Sequence, residues 1–227
     1  MQAIPFRVRG REVSRVEAFS DVVFGFALTL IVVSLEVPED YDALMATLRG
    51  FPAFAICFAM LTWIWYVHHT FFRRYALTDE ITIAINTVLL FIVLLYIYPL
   101  KFMFSIVTGQ IAGARANAGT LFVVYGLGFA GIFALFVLMY VHALRKREEL
   151  ELNELEIHDT YTMIIMYGAY VAIGCASAFV GAMATSRTMM NWAGWIYFAI
   201  GPVSAAIGFW RGSLRQKRQL AMTALPT

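Results

Sequence analysis

The sequence predicts an all-α integral membrane protein with six transmembrane helices in each subunit, and three observations carry that prediction. Of its 227 residues, 61% are hydrophobic and only 14% are charged, and mean hydropathy is +0.72; soluble domains carry about 25% charge. The apolar residues fall into six runs, roughly 17–37, 51–72, 81–104, 119–143, 160–184 and 190–210. Each is near the ~20 residues that cross a bilayer core as a helix. Lys and Arg collect at alternate ends of these runs, 13 on the side that holds both termini and 4 on the other. The richer side is expected to be cytoplasmic, so a multi-pass protein of the cell (inner) membrane with cytoplasmic N- and C-termini is predicted.

The first run begins in charge, Arg15-Val-Glu-Ala-Phe-Ser-Asp21, and from Val22 to Val37 only Thr29, Ser34 and Glu36 are polar. Turned as a helix at about 100° per residue, it places Phe19, Val22, Phe26, Thr29, Leu30, Val33 and Val37 on one stripe. That 3-4 spacing belongs to a helix that packs along a seam or lines an axis. Asp21 falls nearly opposite Phe26, toward helices of its own subunit. No cleavable leader is expected, because the residues before this run are short and contain Pro5.

The later elements follow in order. Pro38-Glu-Asp-Tyr-Asp42 reads as an acidic outer loop, and Gly50-Phe-Pro52 opens the second run with proline where a first helical turn tolerates it. Arg73-Arg74 closes that run, and Thr78-Asp-Glu80 predicts a tight hairpin with Thr78 capping the third. Gly109, Gly113 and Gly119 mark a small-residue loop. In the fourth run, Gly126-Leu-Gly-Phe-Ala-Gly131 has dinucleotide-site spacing but no preceding strand, so it reads as a helix-packing face. The charged linker from Arg145 to Glu156 reads as a solvated extension of the fourth helix. Aromatics near the run ends, among them Trp63, Tyr96, Trp192, Trp195, Tyr197 and Trp210, read as interfacial anchors. Residues 1–215 thus form one transmembrane domain, and 216–227 a short basic tail with a frayed end.

Polar groups inside a bilayer need partners or a wet surface. Three sets qualify: Arg15 with Phe19-Ser20-Asp21, Trp63 and Trp65 with His68-His69, and Asn86, followed by Pro99. With cytoplasmic termini, Asp21, His68, His69 and Asn86 share one depth, where carboxylate, indole, imidazole and amide are able to satisfy one another. Asp21 reads as a hydrogen-bond acceptor or a proton relay. Thr29 reads as a hydroxyl bonded to its own helix or as part of an ion pathway. Adjacent histidines point about 100° apart on a helix and chelate one ion poorly, so no metal site is expected. Cys57 and Cys175 lie in apolar runs without ligand spacing.

Several function classes drop out. A net charge of +2 is too small to suggest nucleic-acid binding. No nucleophile has a convincing base, so neither an enzyme nor an organic cofactor is expected. There is no Thr-Val-Gly-Tyr-Gly loop and no arginine-rich sensor helix. Without an internal repeat, a pathway through the membrane would be built by self-assembly.

Arg15-x-x-x-Phe19-Ser20-Asp21 resembles the RxxxFSD signature of the endosomal/lysosomal-type potassium channel family. The Trp-rich second run ending in His68-His69 and the Asn86…Pro99 string agree in order and spacing. The resemblance covers the first three runs by motif and the last three by length and hydropathy, as in a bacterial single-repeat member. It implies a homotetramer in the lipid bilayer whose pore is lined by the first helix, permeable to K⁺ and without a filter loop. It further implies a pore face at Phe26, Thr29, Leu30 and Val33, positions that share the stripe found from periodicity. By the same resemblance, Arg15, Phe19, Ser20, Asp21, Trp65, His68, His69 and Asn86 form a supporting network away from the ion. Family members usually carry Ile or Leu at the constriction, and Phe26 is bulkier. The competing class is an ion- or proton-coupled secondary transporter using Asp21 and His68/His69; a third is an assembly protein with no permeant.

Overall fold

A computed structural model of the chain describes residues 5–33, 39–49, 51–107 and 118–224. Its described residues are helical apart from the N-terminal segment and the connections. The helices are α1 (Arg15–Val33), α2 (Tyr41–Arg49), α3 (Phe51–Tyr75), α4 (Glu80–Val107), α5 (Ala118–Arg145), α6 (Glu154–Met183), α7 (Arg187–Trp195) and α8 (Ile200–Ala224), with a 3₁₀ turn at Ile196–Ala199 between the last two. Among the described residues, five helical stretches are long and apolar enough to cross a membrane: Phe51–Tyr75, Glu80–Phe102, Gly119–Arg145, Glu154–Met183 and Thr188–Leu220. This is a multi-pass membrane protein. α1 is described as far as Val33. The expected end of its span, 34–37, and the glycine loop at Gly109 and Gly113 lie outside the described residues.

α1 packs on α3 and α4, α4 leads on to α5, and α6 carries α5, α7 and α8 around it. The core is aromatic. Phe71 and Tyr75 of α3 meet Tyr140 of α5, and Phe133 lies 5.2 Å from Trp63 and 5.0 Å from Tyr170 between ring centroids. Trp63, Tyr96 and Tyr197 thus pack inward, whereas Trp192, Trp195 and Trp210 stay exposed at the surface as interfacial anchors would.

α5 and α6 approach most closely because both are bare of side chains where they cross. A Cβ on Gly126 would lie 2.6 Å from the Gly174 carbonyl oxygen, and one on Gly174 would lie 2.8 Å from that of Gly126. Such small-residue crossings bring backbones together where no hydrophobic effect exists to do so. The glycine run serves two neighbours: Gly126 meets α6, while Gly128, about 200° around the helix, leaves room for the Tyr96 ring of α4.

Local chemistry moved several boundaries. The acidic segment after the first run leads into α2, whose first-turn Asp42 and last-turn Arg49 oppose the helix dipole. The α3–α4 turn is capped by Asp79, not Thr78: the Asp79 carbonyl accepts from Ile83 N at 2.9 Å, and its carboxylate accepts from the Thr82 hydroxyl. The charged linker is not a helical extension. α5 stops at Arg145, hydrogen-bonded turns carry the chain back, and Asn153 starts α6 through a capping box with Glu156. That start precedes the apolar run, so hydropathy alone placed it late. The last run changes from α to 3₁₀ over Ile196–Ala199, just before Pro202, which has no N–H for the Phe198 carbonyl and whose ring crowds it. Beyond that turn α8 stays helical to Ala224, and the tail's end, 225–227, lies outside the described residues.

The N-terminal residues form a strap across the end of the bundle where α1 begins. Arg9 and Gly10 donate their backbone N–H groups to the Arg73 carbonyl at 3.1 Å. A Cβ on Gly10 would lie 2.8 Å from the Phe72 carbonyl oxygen, so only glycine lies this close. Arg7 and Arg9 each reach the Glu156 carboxylate at 2.9 Å.

Candidate functional site

α1 presents two contrasting faces. Glu17, Ser20, Phe24, Ala27 and Ile31 follow a 3-4 spacing and are buried against α3 and α4. Phe19, Val22, Phe26 and Leu30 are exposed on the other side, with Thr29 among them and open space around Gly25. Phe26 is 65% exposed and Phe24, two residues earlier, is 1% exposed. Among large apolar side chains on one helix, that contrast marks a face left for something outside the single chain. Val33 continues the stripe in sequence; its side chain lies outside the described residues. The Thr29 hydroxyl donates to the Phe26 carbonyl at 2.7 Å. Its hydrogen is thereby committed to the helix, and the oxygen lone pairs are what it offers a cation.

Behind this face the polar residues pair off in two sets that tie α1 to α3 and α4. The Trp65 indole N–H donates to Asp21 Oδ1 at 2.7 Å. Asn86 Nδ2 donates to Ser20 Oγ at 2.9 Å, and Ser20 passes its own hydrogen to the Val16 carbonyl at 2.7 Å. Asn86 Oδ1 sits 2.8 Å from His68 Nε2, which makes that nitrogen the protonated one. His69 stacks on Trp65 and places Nδ1 3.4 Å from Glu17 Oε1. Buried polar groups are affordable in this way only when they satisfy one another.

The structure therefore brings Ser20, Asp21, Trp65, His68, His69 and Asn86 together and leaves two expected members outside. Arg15 and Phe19 are exposed, on the same side as Phe26. One member had not been anticipated: Glu17, 3% exposed, is the buried carboxylate facing His69. Its signal was legible as Ser14-x-x-Glu17, where Ser14 Oγ accepts from Glu17 N at 3.2 Å and fixes the helix start. A second cluster, also unanticipated, lies at the base of the bundle, where Asp79 meets His142 at 2.7 Å and Lys146 at 3.6 Å. No group of three or more metal-ligating side chains occurs among the described residues.

Residues 15–96, which span α1 to most of α4 and so contain every member of the two polar sets, match the family described as endosomal/lysosomal potassium channel TMEM175. A relative from Marivirga tractuosa named as a potassium channel is 38% identical over 221 residues, covering 89% of each chain. The chain belongs to the TMEM175 family of potassium channels. A crystal structure of a variant of the TMEM175 channel MtTMEM175, bound to a nanobody fusion protein, superposes with a TM-score of 0.80 at 34% identity, covering 93% of this chain and 99% of that one. A lysosomal potassium-selective channel TMEM175 homologue from Chamaesiphon minutus shares the fold, with a TM-score of 0.59 at 20% identity over 87% of this chain and 96% of its own. The TMEM175 likeness thus extends through α5 to α8.

Proposed function

We propose that four copies of this chain assemble around α1 and form a K⁺-permeable pore without a filter loop. In this reading each subunit contributes six spans, α1 with residues beyond Val33 being the first, and both termini lie in the cytoplasm of a cell whose inner membrane holds the channel. The observation that carries it is the exposed stripe of Phe26, Thr29 and Leu30 on a helix whose opposite face is fully packed. Rings of Phe26 and Leu30, and Val33 by its place in the sequence, form an apolar constriction that gates by dewetting. A ring of Thr29 oxygens replaces part of the ion's hydration. The two sets formed by Ser20, Asp21, Trp65, His68, His69 and Asn86 hold α1 at a fixed rotation against α3 and α4, and no cofactor or resident metal takes part.

The carrier alternative assigns Asp21 and the histidines to proton relay. Two observations weigh against it: Asp21 already accepts the Trp65 N–H, and His68 is held by Asn86 away from the exposed face. The deciding experiment is ion flux into liposomes under opposed K⁺ and Na⁺ gradients, for the wild type and Phe26→Asn. Downhill K⁺ flux that rises in the variant supports the pore. Flux that saturates with substrate and stops when a proton gradient is collapsed supports the carrier.

A further inference from the structure

We propose that the base of α8, together with the first turn of α6, is a headgroup site for an anionic membrane lipid. Three guanidinium groups share one side of α8. Arg211 donates from Nε to Thr162 Oγ1 and from Nη2 to the His158 carbonyl, both at 3.0 Å. One turn on, Arg215 Nε straddles both carboxylate oxygens of Asp159 at 2.9 and 3.1 Å. Arg218 comes seven residues after Arg211 and so returns to within about 20° of it; it is exposed, as is Lys217. Asp159 pairs with Arg215, whereas Arg211 and Arg218, which repel each other, have no ion pair among the described residues. Such an excess of positive charge is an anion site by charge complementarity.

A second observation concerns His158. Its ring is 2% exposed, and Nε2 has no hydrogen-bond partner among the described residues, in a place where Arg211 and Arg218 both act on the imidazole. His158 Nδ1 lies 3.4 Å from Asp159 Oδ1 and so carries the ring's proton, which leaves Nε2 as a lone pair and the arginines as the donors to an acceptor oxygen.

The surroundings identify the acceptor as a lipid headgroup. Trp210 is exposed beside Arg211, whose guanidinium lies 5.9 Å from the indole centroid, and Phe209 is the neighbour before it. An exposed tryptophan next to a basic residue at the end of an apolar stretch marks the headgroup level. The apolar part of α8 is scarcely buried within the subunit, so lipid reaches its flank. Gln219 is buried one residue past Arg218, which pins the end of the helix and holds the arginines in line. Anionic leaflets attract basic clusters at this depth.

The test uses the intact protein in nanodiscs of defined composition, with retained lipid counted by native mass spectrometry. Wild type is expected to retain phosphatidylglycerol in preference to phosphatidylcholine. Lys217→Gln with Arg218→Gln should weaken phosphatidylglycerol binding by more than tenfold, about fivefold for each charge removed, with melting in pure phosphatidylcholine unchanged. Arg218→Lys, which keeps the charge, should bind nearly as wild type. Arg147→Gln, which removes one charge from the exposed α5–α6 turn at the same end of the bundle, should leave binding intact. Equal losses for Arg147→Gln and Arg218→Gln would reduce the site to diffuse surface charge. Displacement of the lipid by inorganic phosphate at matched concentration would make the ligand a free anion, and an absence of phosphatidylglycerol preference in the wild type would remove the site altogether. None of these readouts depends on ion conduction.

Discussion

Trp65 and Asp21 are joined by a 2.7 Å hydrogen bond between α3 and α1, five residues before Phe26 on the α1 helix. The bond fixes how α1 is rotated about its axis, because a carboxylate nearly opposite the exposed stripe is anchored to a neighbour within the subunit. Rotation of α1 by one residue would bring Asp21 off its donor and Phe26 off its face together.

Trp65→Phe keeps the ring and removes the donor. The expected cost is about 1–3 kcal/mol, the range for leaving a buried acceptor unpaired. Asp21→Asn keeps an acceptor oxygen and should cost less. In a double-mutant cycle read by thermal melting, the two changes should be non-additive; additive losses would separate the residues energetically.

Gly126→Ala and Gly174→Ala each drive a methyl group into a carbonyl oxygen across the α5–α6 crossing. Each should destabilise the subunit by about 1–3 kcal/mol. Gly168→Ala, with nothing within 4 Å of its added carbon, should be neutral or stabilise by up to about 1 kcal/mol, the helix-propensity gain alone. Melting temperatures of the three variants check the contrast.

Gly25 also has open space around it in the single chain, and on propensity alone Gly25→Ala should stabilise. If its face meets another copy, the same change should weaken assembly. The predicted pattern is a subunit that keeps its helicity by circular dichroism while its oligomer, sized by mass, dissociates at higher protein concentration than the wild type.

Phe26→Ala should widen the constriction and raise K⁺ leak, and Thr29→Ala should lower preference for K⁺ over Na⁺ while Thr29→Ser retains it. Reversal potentials under mixed gradients separate the three. Unchanged currents in both alanine variants would remove α1 from the pore.

Asp79 lies in the turn between α3 and α4. Burial favours its neutral form, but hydrogen bonds from Thr82 and His142 and the charges of His142 and Lys146 outweigh it and hold the carboxyl below its usual range. A carboxylate with a depressed folded value contributes stability that is complete above its unfolded value, about 3.9, and is lost as pH falls through the folded one. The stability gap between wild type and Asp79→Asn should therefore be open at neutral pH and close below about pH 3.9, as followed by melting across that range.

The parts legible in the sequence were those written in periodicity and in motif. The stripe on α1 appears because exposed Phe26 and buried Phe24 differ in phase, which a 3.6-residue period reveals. The pairings behind it, Trp65 with Asp21 and His68 with Asn86, concern polar groups at one depth that have few other partners. Glu17 escaped because a charge at the start of a helix looks solvated until the packing partner is known. The start of α6 escaped for the opposite reason: Asn153 and Glu156 are local capping signals, and they were masked by a run of charges that resembled a surface extension. Arg15 and Phe19 illustrate a third limit, since a motif records which residues accompany each other and not which of them touch.

The strap that joins Arg7 and Arg9 to Glu156 spans nearly 150 residues of sequence. During synthesis these arginines leave the ribosome before their carboxylate partner, which follows only after α5 has been made. The opening segment must therefore wait, solvated and unfixed, while the earlier helices enter the membrane. Its docking onto Glu156 and Arg73 then becomes a late event of biogenesis, one that registers the arrival of α6.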